Sequence, residues 1–236
     1  MHKQIVQEEH YVLIKEPNSH YLGHVVPSSG SAKDISSAIM AFLSKMNYKE
    51  EDLVAVGCDG TVINTGRKGG VIAMIENNLQ RPLQWLICLL HANELPLRHL
   101  IQETDGKTSG PSGFHGPIGS KLSNCESKEI VKFSSISSEN IDIETSDLST
   151  DQSYMLEAFN AVSSGHCSPS LANINPGNMS HSRWLSTANR VLRLYISEET
   201  PSKELIRIVI YIIHVYVPVW FAIKRIIIYP RCQALL

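Results

Sequence analysis

The chain has 236 residues, 43% of them hydrophobic and 19% charged, with a formal net charge of -2. That length holds one large domain or two small ones with a sizeable core. The charge balance excludes a whole-domain basic field for nucleic acid, although a local basic groove would not show in the sum. Five cysteines (Cys58, Cys88, Cys125, Cys167, Cys232) are scattered and odd in number, with no secretory signal ahead of them. That usage fits a reducing compartment, nuclear or cytoplasmic.

In chain order, residues 9–15 (EHYVLIK) and 21–26 (YLGHVV) are β-like runs separated by Glu-Pro-Asn-Ser, which predicts an antiparallel hairpin turning at Pro17 and Asn18. Ile35, Ala38, Ile39, Phe42, Leu43 and Met46 recur at helical spacing after a Ser/Gly-rich start, so an amphipathic helix follows. A polar link leads into a strand over 53–57 that ends at Asp59 and a glycine turn. Val71, Ile72, Ile75 and Leu79 predict a second helix ended by Pro82. Residues 83–90 form a continuous apolar run of strand length, covered on both faces. Strand, helix, strand at this spacing predicts a right-handed parallel crossover. These elements together predict one mixed sheet with helices packed on it.

Residues 103–153 lose that pattern. Gly and Pro set turns, and a serine-rich, acid-studded tract predicts a mobile or surface-laid loop. Helical pattern resumes over 154–162, pauses, and returns over 183–195. A last apolar segment, 205–223, enters at Pro201 and Ser202 and is followed by Lys224 and Arg225. It has the length and flank of a membrane span, but Arg207, His214 and Pro218 within it favour a buried core helix.

Three constellations could carry chemistry. Asp59, at the carboxyl end of a strand, stands where α/β sheets meet ligands and could hold Mg²⁺ or Mn²⁺ against a phosphate; the plainer reading is a turn aspartate capping backbone N–H groups. Cys88 and His91 have the spacing of half a zinc site but lack a partner pair, and the plainer reading is a packed thiol and a hydrogen-bonded imidazole. Arg183 and Trp184 open a helix that also carries Arg190 and Arg193. An indole and guanidinium there could stack on a base or clamp a phosphate, while a tryptophan in that place also reads as core. No small-molecule site is evident, and the Gly-rich GRKGG and GPSGFHGPIG lack a P-loop ending.

The order of these signals is more specific than any one of them. Hairpin, helix, strand ending CDG, helix, strand ending C-x-x-H, then a helical region opening with S-R-W resembles the catalytic region of hAT-type DDE transposases, which have an RNase H-like fold. The blocks ICLLHANELPLRHL, DGKTSGPSGFHGPIGSKL and HSRWLSTANRVLRLYIS are similar to those of transposase-derived proteins present in many copies in some invertebrate genomes. The likeness covers about residues 8–223. It implies an α/β fold class: an incomplete RNase H-like mixed sheet with helices, followed by part of an all-α insertion. It implies a partial core over 1–101, a connecting loop over 102–153, an insertion over 154–223 and a tail from 224 to 236. Asp59 would match the second metal-binding aspartate, Cys88 and His91 the motif that braces the site, and Arg183 with Trp184 the pair near the DNA. Cleavage in that family uses Mg²⁺ or Mn²⁺ pairs about 3.5–4 Å apart.

The departures from the family pattern set further expectations. No Asp precedes Asp34, which starts a helix, and Glu198, Glu199 and Glu204 come too early for the final glutamate. The expectation is a truncated, transposable-element-derived copy without strand-transfer or nuclease activity, its metal not bound. DNA is the implied partner, and unpaired sheet backbone predicts homo-oligomer association. The alternatives are a non-catalytic protein- or nucleic-acid-binding module, or a small membrane-anchored protein using 205–223.

Overall fold

The structure, a computed structural model, describes residues 8–108, 110, 113–177 and 184–228, without the side chains of 226–228. The protein is α/β, with many helices and two small sheets, and divides into two compact units. The first holds the described residues up to Ala92 together with 226–228, and the second is Asn93–Arg225.

In the first unit, β1 (Tyr11–Lys15) and β2 (His20–Val25) form the expected hairpin, with Asn18 and Ser19 at positive φ in its turn. The register shifts by one residue between Leu13 and Ile14, opposite Gly23 at φ +152°. Glycine is required there twice over, because a Cβ would also lie 2.6 Å from the Phe42 ring. Phe42 belongs to α1 (Ala32–Lys45), whose start is capped by the Ser31 hydroxyl accepting from Asp34 N–H at 3.2 Å. After a 3₁₀ turn at Glu50–Asp52, β3 (Ala55–Cys58) leads through α2 (Val62–Thr65) and α3 (Val71–Leu79) to β4 (Gln84–Ile87). Strands β3 and β4 are parallel, as the crossover predicts. Glu76 of α3 fixes the return: its Oε1 accepts from Leu83 N–H and from Trp85 Nε1–H, both at 2.8 Å. Ile35, Val71, Ile75 and Leu83 form the core, with Tyr11 of β1 and Val56 of β3 packed against it.

Three expectations are corrected here. One mixed sheet was expected, but among the described residues β1 pairs only with β2 and β3 only with β4. The strand expected over 83–90 stops at Ile87, and α4 (Leu89–Asp105) begins two residues later. From there the buried positions Asn93, Leu97 and Ile101 recur every fourth residue, a helical period that outweighs Pro96 inside the helix. The turn expected after Asp59 contains the short helix α2.

The second unit is built around α8 (Trp184–Tyr195), every residue of which is buried. Against it pack α5 (Gly119–Leu122), α6 (Thr150–Ser164) and α9 (Lys203–Tyr211), with α7 (Pro169–Asn173) on α6. Residues 129–144 run over these helices without helix or strand, ahead of a turn at 145–148. Val131 N–H donates to Ile196 O at 3.1 Å, Ile136 N–H to Val162 O at 3.0 Å, and Tyr195 Oη–H to Ser134 O at 2.8 Å. This tract is therefore a surface-laid strap, one of the two forms its composition allowed. From Lys203 to Arg225 the chain is continuously helical, with a π turn at Ile212–Tyr216 ahead of α10 (Val217–Ile228), and it is long and apolar enough to cross a membrane. The π turn precedes Pro218, which cannot donate a helical hydrogen bond. Half of this segment is buried inside the protein, along Leu205, Ile208, Val209, Ile212, Ile213, Tyr216 and Val217. The helix runs through Lys224 and Arg225 into the expected tail, whose residues 229–236 lie outside the described residues.

Candidate functional site

Asp59 follows the last residue of β3, as its place in the sequence predicts. Its Oδ1 accepts three hydrogen bonds: from Thr61 N–H at 3.1 Å, Thr61 Oγ1 at 2.7 Å and Asn64 Nδ2 at 2.8 Å. Thr61 is the residue before α2 and Asn64 lies in it, so the carboxylate holds the start of that short helix. Burial pushes the Asp59 pKa up, but the hydrogen bonds from Thr61 and Asn64, with His91 nearby, outweigh it and leave the carboxyl below its ordinary value. Sequence reading missed Thr61 and Asn64. The signal was present in D-G-T-x-x-N, an aspartate followed at two and five residues by groups that can donate to it.

The structure brings Cys88 and His91 to the same turn. Cys88 N–H donates to Cys58 O at 2.9 Å, extending the ladder of β3 and β4 by one bond. His91, one turn into α4, packs on Gly60: a Cβ at Gly60 would lie 2.7 Å from His91 Cδ2. The D-G dipeptide thus needs its glycine to admit the imidazole. Cys58 is pushed up to about 11 by burial, then by the charges of Asp59 and Cys88, and stays a thiol.

A pair of divalent cations needs several carboxylates converging on one point. Among the described residues no group of three His, Cys, Asp or Glu side chains converges, and Oδ1 of Asp59 is already committed to three donors. The residues around Asp59 do not fit a two-metal centre. What the arrangement does chemically is cap and brace a turn, with Arg67 and Lys68 exposed just beyond α2.

The remaining candidates belong to the second unit. Arg183 lies outside the described residues. Trp184 is 5% exposed, and its backbone N–H donates to Glu94 Oε1 at 3.4 Å. Arg190 and Arg193 face inward. Arg190 donates to Leu122 O and Gly177 O, both at 2.7 Å, and to Glu126 Oε2 at 2.9 Å. Arg193 donates to Lys128 O at 2.7 Å, to Glu126 O at 3.3 Å and to Ser197 Oγ. Both guanidiniums tie the chain around 122–128 to α8. Compared with known proteins, the chain matches no family model, no curated protein and no solved structure.

A further group was missed in the sequence. Asp105, 8% exposed at the end of α4, accepts from Ile118 N–H at 2.7 Å and Gly119 N–H at 2.9 Å. A Cβ at Gly116 would lie 1.8 Å from the Asp105 carbonyl oxygen, and one at Gly119 2.4 Å from that of Phe114. Gly116 and Gly119 are needed because this loop closes on Asp105 and on the Phe114 backbone, which accounts for these two glycines without a phosphate.

Proposed function

We propose that this chain is a transposable-element-derived, RNase H-like protein without strand-transfer chemistry of its own, retaining a capacity to bind DNA and working in the nucleus or cytoplasm. The observation that carries the reading is the Asp59 turn. A carboxylate at the end of a parallel strand, with Cys88 and His91 drawn to the same turn, is what the hAT resemblance implies; its commitment to Thr61 and Asn64 is what a vestigial metal ligand would look like. Exposed Arg67 and Lys68 of the first unit supply cations for phosphate contact, and the resemblance separately implies Arg183.

Fluorescence anisotropy with a duplex oligonucleotide, read across a salt series, tests the binding half. Binding should weaken steeply with salt and weaken further in Arg183→Ala and in the double variant Arg67→Ala/Lys68→Ala. Salt-independent binding, or none, overturns it. A second reading rests on the apolar helix Lys203–Arg225, which has the length for a membrane anchor. Fractionation of the full chain into membrane pellets, abolished by deleting that helix, would favour it.

A further inference from the structure

Between β1 and β3 runs an open cleft of about 470 Å³. Its long walls are the two strands themselves, Tyr11 to Lys15 on one side and 53–58 on the other. Its floor is apolar: Ile35, Ile39 and Leu43 from α1, and Val71, Ile72 and Ile75 from α3. Among the described residues, β1 bonds only to β2 and β3 only to β4, so each presents its other edge, with backbone N–H and C=O groups, to the cleft. Val12 (59% exposed), Ile14 (48%) and Val54 (69%) stand uncovered on these same edges.

The two walls run in opposite directions. Tyr11, at the start of β1, lies within electrostatic reach of Asp59 beyond the end of β3, whereas Lys15, at the end of β1, lies over the Tyr48 ring and near Asp52 ahead of β3. A strand entering between them antiparallel to β1 is parallel to β3 and can bond to both. The ends of the cleft are acidic. Glu9, hydrogen-bonded to Tyr11, and Asp59 stand near one end and Glu16 and Asp52 at the other, four carboxylates against two cations, Lys15 and Arg81, whose guanidinium donates to Leu53 O at 2.8 Å.

We infer that this cleft is a strand-accepting slot, and that its occupant is an extended polypeptide segment with a β-branched apolar centre and basic ends. Two facing open edges call for backbone amides on both sides of the occupant, a demand that an extended peptide meets and that a lipid or a nucleic acid does not. The floor calls for apolar side chains, and the acidic ends set the flanking charge. The inference stands on the first unit alone and does not depend on the DNA reading.

The probe is a fluorescein-labelled peptide, Lys-Thr-Val-Ile-Val-Thr-Lys, titrated against the full chain. It should bind saturably at one per chain, and binding should fall at least tenfold when the central Ile is replaced by Pro, which cannot join a ladder, or when both Lys are replaced by Glu. Amide hydrogen exchange should slow on β1 and β3 when peptide is added and stay unchanged on α8. Three results would overturn the proposal: no saturable binding; β1 and β3 amides already protected before peptide is added, the slot being closed by the chain itself; or a dimer, seen by sedimentation, that protects these amides and that the peptide fails to dissociate.

Discussion

Single residues divide into those that hold a turn and those that hold the chain together. Asp59 is of the first kind. Its carboxyl is depressed in the folded state, so its contribution is fully present above the ordinary carboxylate range and is lost as pH falls through the lowered value. Because the side chain is exposed, the effect is modest. Asp59→Ala should cost about 0.5–2 kcal/mol at pH 7, as for other turn and cap aspartates, and the difference from the unsubstituted chain should vanish in strong acid. Mn²⁺ should leave the melting temperature of both unchanged; a metal-dependent rise lost on substitution would contradict the capping role. Arg190 is of the second kind. With its side chain 4% exposed and its hydrogen bonds going to two carbonyls and to Glu126, Arg190→Ala should destabilise the second unit by about 1–3 kcal/mol in urea titration, because it leaves two carbonyl acceptors unpaired and removes the cation beside a half-buried carboxylate. The role of Asp59 was one of the two readings its place before a glycine turn allowed, whereas that of Arg190 could not be read from the sequence. Arg190 and Arg193 look like a cationic face at helical spacing, and only the arrival of carbonyls more than 60 residues away turns that face inward.

At the scale of elements, local pattern was a good guide where one period dominates. The hairpin at Pro17–Asn18, α1 with its Ser31 cap, and the parallel return from β3 to β4 all follow from alternation, 3.6-residue spacing or crossover length. The run 83–90 misled because a buried strand and the first turn of a buried helix are equally apolar, and Pro96 hid the helical period beyond it. The glycine-rich loop after α4 was opaque for a different reason: its order comes from one buried acceptor, Asp105, reached across 13 residues. Gly116→Ala should therefore be among the most damaging loop substitutions, since its methyl group would be driven into the Asp105 carbonyl. A loss of about 1–3 kcal/mol or more is expected by thermal denaturation, with the change at Gly106, where nothing crowds a Cβ, showing only the strain of its positive φ. Equal tolerance at both positions would contradict the clamp.

The whole molecule divides into two compact units. The first carries the Asp59 turn and an open slot between its sheets, while the second is a helical body bound together by buried arginines and a surface-laid strap. The α/β class was legible from the order of strand-like and helix-like runs. The separation of β1–β2 from β3–β4 was not, because pairing between distant strands leaves no local trace in either one. On the proposed reading, Asp59 holds a turn and not a catalytic cation. The most direct test of that reading is a nicking assay with the purified full chain, supercoiled plasmid and Mn²⁺ or Mg²⁺. No nicking above the level of the Asp59→Asn variant is expected with either metal. Metal-dependent nicking that disappears in Asp59→Asn, while the variant keeps its fold, would contradict it.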